Sequence, residues 1–124
     1  NVPQQMRDAG GFMLRRTYQP AFGDDAARQR ALSPTLQAGR PDAPDWLILY
    51  DDQRADAVSQ STELATALRR AGVAVTSQGL HFDERFVLAR HRRMNVDFGT
   101  AGYAANPAIE ALMARVAGAS STVR

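Results

Sequence analysis

This sequence reads as an α/β protein whose strands run parallel. Trp46-Leu47-Ile48-Leu49-Tyr50 is apolar without alternation, the pattern of a strand covered on both faces. Val73-Ala74-Val75-Thr76 is a second such segment. Between them, Leu64, Ala65 and Leu68 fall on one helical face, and this strand, helix, strand order has the length of a parallel crossover. With 124 residues the chain forms at most one domain of ordinary size.

Taken in order, residues 3 to 18 are predicted as a helix that Pro3 opens, with Met6, Phe12 and Met13 as apolar contacts and Gly10-Gly11 weakening its middle. Asp24-Asp25 precedes a short helix over Ala26 to Leu32, stopped at Ser33-Pro34. Thr35 to Asp45, flanked and interrupted by Pro34, Pro41 and Pro44, is expected to be an extended loop. Asp51 and Asp52 end the first strand. The crossover helix is placed between Ser59, as its cap, and Ala71, with Gly72 terminating it in a left-handed conformation. Residues 79 to 102 read as irregular, Pro107 opens a last helix carrying Ile109, Leu112, Met113 and Val116, and the tail over 119 to 124 is expected to fray.

Composition excludes several chemistries. Without cysteine there is no disulfide, thiolate nucleophile or cysteine-ligated metal. His81 and His91 stand ten residues apart with no H-E-x-x-H, so a metal centre is not expected, and Gly10-Gly11 lacks the Lys-Ser/Thr of a phosphate loop. No apolar run approaches the roughly 20 residues of a membrane-spanning helix. All 15 cationic side chains are arginine, and 13 carboxylates leave a net charge of only +2, so nucleic acid is not the expected partner. Arg90, Arg92 and Arg93 read as a solvated basic run. A soluble, cytoplasmic protein is the expectation, and the opening Asn-Val-Pro suggests a piece cut from a longer polypeptide.

One constellation carries chemistry. Leu49-Tyr50-Asp51-Asp52-Gln53-Arg54-Ala55-Asp56 puts carboxylates at the end of a strand, Gln60-Ser61 to Gly72 follows as a helix, and His91-Arg92-Arg93-Met94-Asn95-Val96-Asp97-Phe98-Gly99 comes after the next strand. These residues resemble the C-terminal half of an α/β-hydrolase, in the esterase/lipase and kynurenine-formamidase-like branches. There a histidine loop of the form H-x-x-[MI]-N-x-x-[FL]-G is familiar. Tyr18 to Asp24 and Ala31 to Pro34 are similar to the segment ahead of that family's acid-bearing strand, so the likeness spans roughly residues 2 to 118.

The resemblance implies a mostly parallel α/β-hydrolase sheet with flanking helices, of which this chain holds the C-terminal part, completed by another segment or chain. It implies a helical cap over residues 1 to 36, with Phe12, Met13, Tyr18 and Phe22 as pocket candidates, and the hydrolase portion over 37 to 118. The reaction implied is hydrolysis of carboxylic esters, or of arylformamides, through an acyl-enzyme and without a cofactor. In the family order of nucleophile, acid and histidine, Asp52 and His91 fill the last two places. Asp56 is the alternative acid and His81 the competing histidine. Counting back from Gln60-Ser61 places Gln53 where the family commonly carries its acid, which favours a rival reading as a degenerate, non-catalytic interaction subunit. No G-x-S-x-G occurs, so the nucleophilic serine is expected from a partner N-terminal half.

Overall fold

The computed structural model describes residues 1–39 and 41–121, with no account of the side chains of 120 and 121. It is a mixed α/β structure around a two-stranded parallel sheet. Strand β1 (Asp45–Asp51) pairs with β2 (Ala74–Leu80) in a register running from Asp45 opposite Ala74 to Asp51 opposite Leu80. Helix α6 (Ala55–Arg70) connects them.

The alternation of side chains along β1 sorts the core into two layers. On one face Trp46 and Ile48 pack with Leu64, Leu68, Val73 and Ala38, so α6 and the short helix α5 (Pro34–Gln37) lie there. On the other, Leu49 packs with Leu80, Tyr103, Ala105, Met94 and Ile109, the last two from helices α7 (Val87–Val96) and α8 (Asn106–Ser121). Both faces are covered, as the unbroken apolar run requires. Among the described residues, neither strand has a second strand beside it.

Before the sheet, helix α1 (Val2–Asp8) is capped by the Asn1 side chain, which accepts from the Gln4 N–H at 3.2 Å. It stops at Ala9, whose extended backbone leads into Gly10. The single helix expected over residues 3 to 18 is thus divided: α2 (Gly11–Met13), a π-helical turn over Leu14–Tyr18 and α3 (Gln19–Phe22) follow the break. Helix α4 (Ala26–Ala31) starts where expected, with Asp25 accepting from the Ala27 N–H at 2.9 Å. Ser33 is completely buried and accepts from the Val2 N–H at 3.2 Å, tying the beginning of the chain to the start of α5.

Other boundaries also moved. The expected loop over 35 to 45 contains most of α5, because Ser33-Pro34 starts a helical turn as readily as it ends one; residue 40 of that loop lies outside the described residues. Helix α6 begins four residues before Ser59, with Arg54 in the cap position, so Ser59 is an exposed interior residue. It ends as predicted at Gly72, whose φ of 84° belongs to glycine. Strand β2 runs on to Leu80, and α7 occupies ten residues of the stretch read as irregular. Periodicity misses α7 because its buried residue is Arg90, whereas Val87 and Leu88 are exposed. Helix α8 extends into the tail as far as Ser121, and residues 122–124 of the expected fraying lie outside the described residues.

Candidate active site

Asp51, Asp52 and His81 come together because β1 and β2 end side by side: Asp51 is opposite Leu80, and the chain continues into Asp52 on one strand and His81 on the next. His81 Nδ1 lies 3.1 Å from Asp52 Oδ1. An ionised carboxylate only accepts, so the imidazole donates from Nδ1. Its other nitrogen, Nε2, faces the Gln53 amide nitrogen at 3.2 Å. That same amide nitrogen donates to the Phe82 carbonyl at 2.8 Å, which fixes it as the NH₂ end and makes His81 Nε2 an acceptor. The pair is exposed, with side-chain accessibilities of 67% for His81 and 38% for Asp52, and both imidazole nitrogens are engaged, by Asp52 and by Gln53.

Gly79 makes this approach possible. A Cβ there would stand 2.9 Å from Asp52 Cβ, closer than two carbons tolerate, and 3.2 Å from the Tyr50 ring, a tight contact. Gly79→Ala is therefore expected to cost about 1–3 kcal/mol by overpacking and to separate Asp52 from His81. Urea unfolding together with loss of the Asp52-dependent His81 Nδ1–H signal checks it, and an unchanged signal would contradict the close approach.

The second histidine has different company. His91 sits on α7 with Nε2 2.8 Å from Arg54 Nη1. Arg54 is held in turn by Asp56, through Nε to Oδ1 at 3.0 Å and a second contact from Nη2 to Oδ2. Asp56 thus reaches His91 only through an arginine. The guanidinium beside it lowers the Asp56 carboxyl below the usual carboxylate range, chiefly by hydrogen bonding and against the opposing effect of burial. No hydrogen bond joins Asp52 to His91 among the described residues, and Asp52 is instead the partner of His81.

His91 lines a cavity of about 470 Å³ between the helical N-terminal part and the ends of the strands. Tyr18 and Phe22 also line it, their rings stacked 6.5 Å apart, together with Leu49, Tyr50, Asp51, Arg54, Asp56, Leu64 and Met94. Phe12 and Met13, the other pocket candidates, are exposed and do not line it.

No protein-family model, no curated protein and no solved structure matches this chain. Its chemistry is therefore read from geometry. Among the described residues no group of three or more His, Asp and Glu side chains converges to hold a metal ion, and no helix is long and apolar enough to cross a membrane.

Behind the two histidines lies an ion pair that sequence reading did not find. Arg90 Nε donates to Asp51 Oδ2 at 2.7 Å, with side-chain accessibilities of 7% and 2%. Arg90 Nη1 also donates to the carbonyls of Glu84 and Arg85, and Asp51 Oδ1 accepts from the Gln53 N–H at 3.0 Å. One buried pair thereby joins the turn after β1 to the approach to α7. Arg90 is not part of a solvated run, and Arg93 is paired as well, with Glu84 and Asp97. The only sequence signal was an acidic residue completing an apolar strand. Of the motif companions, Met94 joins the core, while Phe98 is exposed with its ring 5.8 Å from that of Tyr103.

Proposed function

We propose that this chain is the C-terminal part of an α/β-hydrolase and supplies the acid and the histidine of a Ser–Asp–His site acting on carboxylic esters or arylformamides. The observation that carries this reading is the hydrogen bond from His81 Nδ1 to Asp52, formed just beyond the carboxyl ends of adjacent parallel strands, where α/β folds place their sites. Asp52 is the acid the sequence suggested. His81, rather than His91, takes the role of base, because a carboxylate holds its Nδ1–H and leaves Nε2 as the acceptor, a place that the exposed Gln53 amide must yield to the serine hydroxyl. The sheet edges, which have no neighbouring strand among the described residues, are consistent with completion by a preceding segment that brings the serine and the oxyanion-binding donors.

In the proposed reaction the serine hydroxyl attacks the carbonyl carbon as its proton passes to His81 Nε2. That proton then goes to the departing alcohol or amine, and water cleaves the acyl-enzyme by the same route. Asp52 keeps the imidazole in the productive tautomer and stabilises its cation throughout. The test is to co-express the chain with a serine-bearing N-terminal hydrolase segment and apply a fluorophosphonate probe. Labelling of that serine only when both pieces are present is the expected result. An unlabelled but properly folded complex overturns the reading.

A second reading, a non-catalytic interaction subunit derived from such a hydrolase, is favoured by one contact. The Gln53 amide occupies His81 Nε2, where a serine hydroxyl would have to donate. It predicts a folded complex that never takes the label.

A further inference from the structure

We propose that His91 is a hydrogen-bond donor to a neutral carbonyl oxygen bound in the 470 Å³ cavity, held in its Nδ1–H tautomer by the Arg54–Asp56 pair. Its catalytic meaning rests on the hydrolase reading above, whereas the tautomer and the carbonyl site do not.

The assignment follows from donor and acceptor inventory. A guanidinium carries donors alone, so the contact of Arg54 Nη1 with His91 Nε2 at 2.8 Å makes Nε2 the acceptor. A neutral imidazole has one N–H, which must then be on Nδ1. Arg54 is not a loose cation that happens to lie nearby. Asp56 engages both its Nε and its Nη2, and because the guanidinium is planar, fixing those two donors aims Nη1. Arg54 is therefore a positioning residue acting on His91.

The two histidines consequently offer opposite chemistry. His81 has its N–H engaged by Asp52 and its lone pair on Nε2, where the Gln53 amide donates. His91 has its lone pair engaged by Arg54 and presents an N–H. Nδ1 of His91 makes no hydrogen bond to any described residue, and no buried side-chain nitrogen or oxygen is left unpaired among them, so Nδ1 is reachable from solvent.

His91 lines the cavity, so its other lining residues set what an N–H directed into it would meet. Its carboxylates are already neutralised in place, Asp56 by Arg54 and Asp51 by Arg90, and the Asn1 ammonium, which also lines it, donates to Thr35 Oγ1. Phe22, Leu49, Leu64 and Met94 supply an apolar wall. A neutral carbonyl group with an apolar or aromatic substituent, as in an ester or amide, matches an imidazole N–H beside such a wall, with Gln5, Gln60 and Ser61 as further polar lining.

Long-range nitrogen–proton NMR on the histidine-labelled full chain, at a pH where the imidazoles are neutral, tests this without any serine-bearing partner. His91 is expected as a single Nδ1–H tautomer. Benzamide, a neutral carbonyl probe, is expected to bind and to move the His91 Nδ1 signal, while Arg54→Met returns His91 to mixed tautomers and weakens benzamide about tenfold, the worth of one hydrogen bond. An Nε2–H tautomer in the unsubstituted chain overturns the proposal even if Arg54→Met fails to fold. So does an unchanged tautomer in folded Arg54→Met, a failure of benzamide to bind, or binding that leaves Nδ1 unmoved. Failure of the hydrolase reading would appear separately, as absent serine labelling with the tautomer intact.

Discussion

Arg90→Met is expected to lower the unfolding free energy of the chain by about 3–5 kcal/mol, because it strands a carboxylate in the interior. Asp51 is 2% accessible at its side chain, and Arg90 is its cationic partner. Removing the arginine leaves a charge that water does not reach, whereas the Gln53 N–H gives only one neutral hydrogen bond in return. The reverse change, Asp51→Ala, also frees Arg90 from its anchor, although the carbonyls of Glu84 and Arg85 still accept from it. The double variant Asp51→Ala/Arg90→Met should be more stable than Arg90→Met alone, since no charge then remains buried. Urea unfolding of the four proteins forms a complete cycle. A loss below about 1 kcal/mol for Arg90→Met would assign the pair to the class of solvated surface bridges and contradict the burial. For a domain whose whole stability is on the order of 5–15 kcal/mol, the expected loss decides whether the folded state persists.

If the chain completes a hydrolase as proposed, His81→Ala in the reconstituted complex is expected to reduce kcat/KM about 10³–10⁴-fold, and Asp52→Asn by a similar factor, since the amide no longer selects the right tautomer. The Asp52→Asn effect should be nearly absent in the His81→Ala background, because the carboxylate acts through that imidazole. His91→Ala, which on our proposal deletes one donor to the substrate carbonyl, should lose about 10²–10³-fold. Rates of ester hydrolysis measured on matched, folded complexes separate these roles. If His91→Ala abolished turnover and His81→Ala were silent, the histidine suggested by the H-x-x-M-N-x-x-F-G pattern would be the base and Arg54 would have to move away from it.

That alternative shows how far the sequence was legible. Strand β1, helix α6 and strand β2 could be read because an unbroken apolar run, a one-sided stripe of Leu64, Ala65 and Leu68, and Gly72 each leave a local mark. The place of Asp52, directly after a strand, was legible for the same reason. The histidine was harder. His81 meets Asp52 through the register of the two strands, whereas the direction of His91 goes with α7, whose Arg90 turns inward to Asp51, a pairing between residues 39 positions apart. Helical periodicity treats an arginine as an outward residue, so it hides both the helix and the direction of His91. Gly79 was equally silent, since its role lies in the Asp52 and Tyr50 side chains across the register rather than in its own backbone.

The parallel register also has a consequence for the order of events in folding. Each rung of the sheet joins residues separated by the whole of α6, so no pair of strand residues can meet by closing a short turn. The chain must first shorten that connection by winding it into a helix, and only then does closing the loop cost little enough for the rungs to form. Substitutions that weaken α6 at exposed positions, far from every side chain of the site, will therefore slow the arrival of Asp52 at His81 more than they speed its departure.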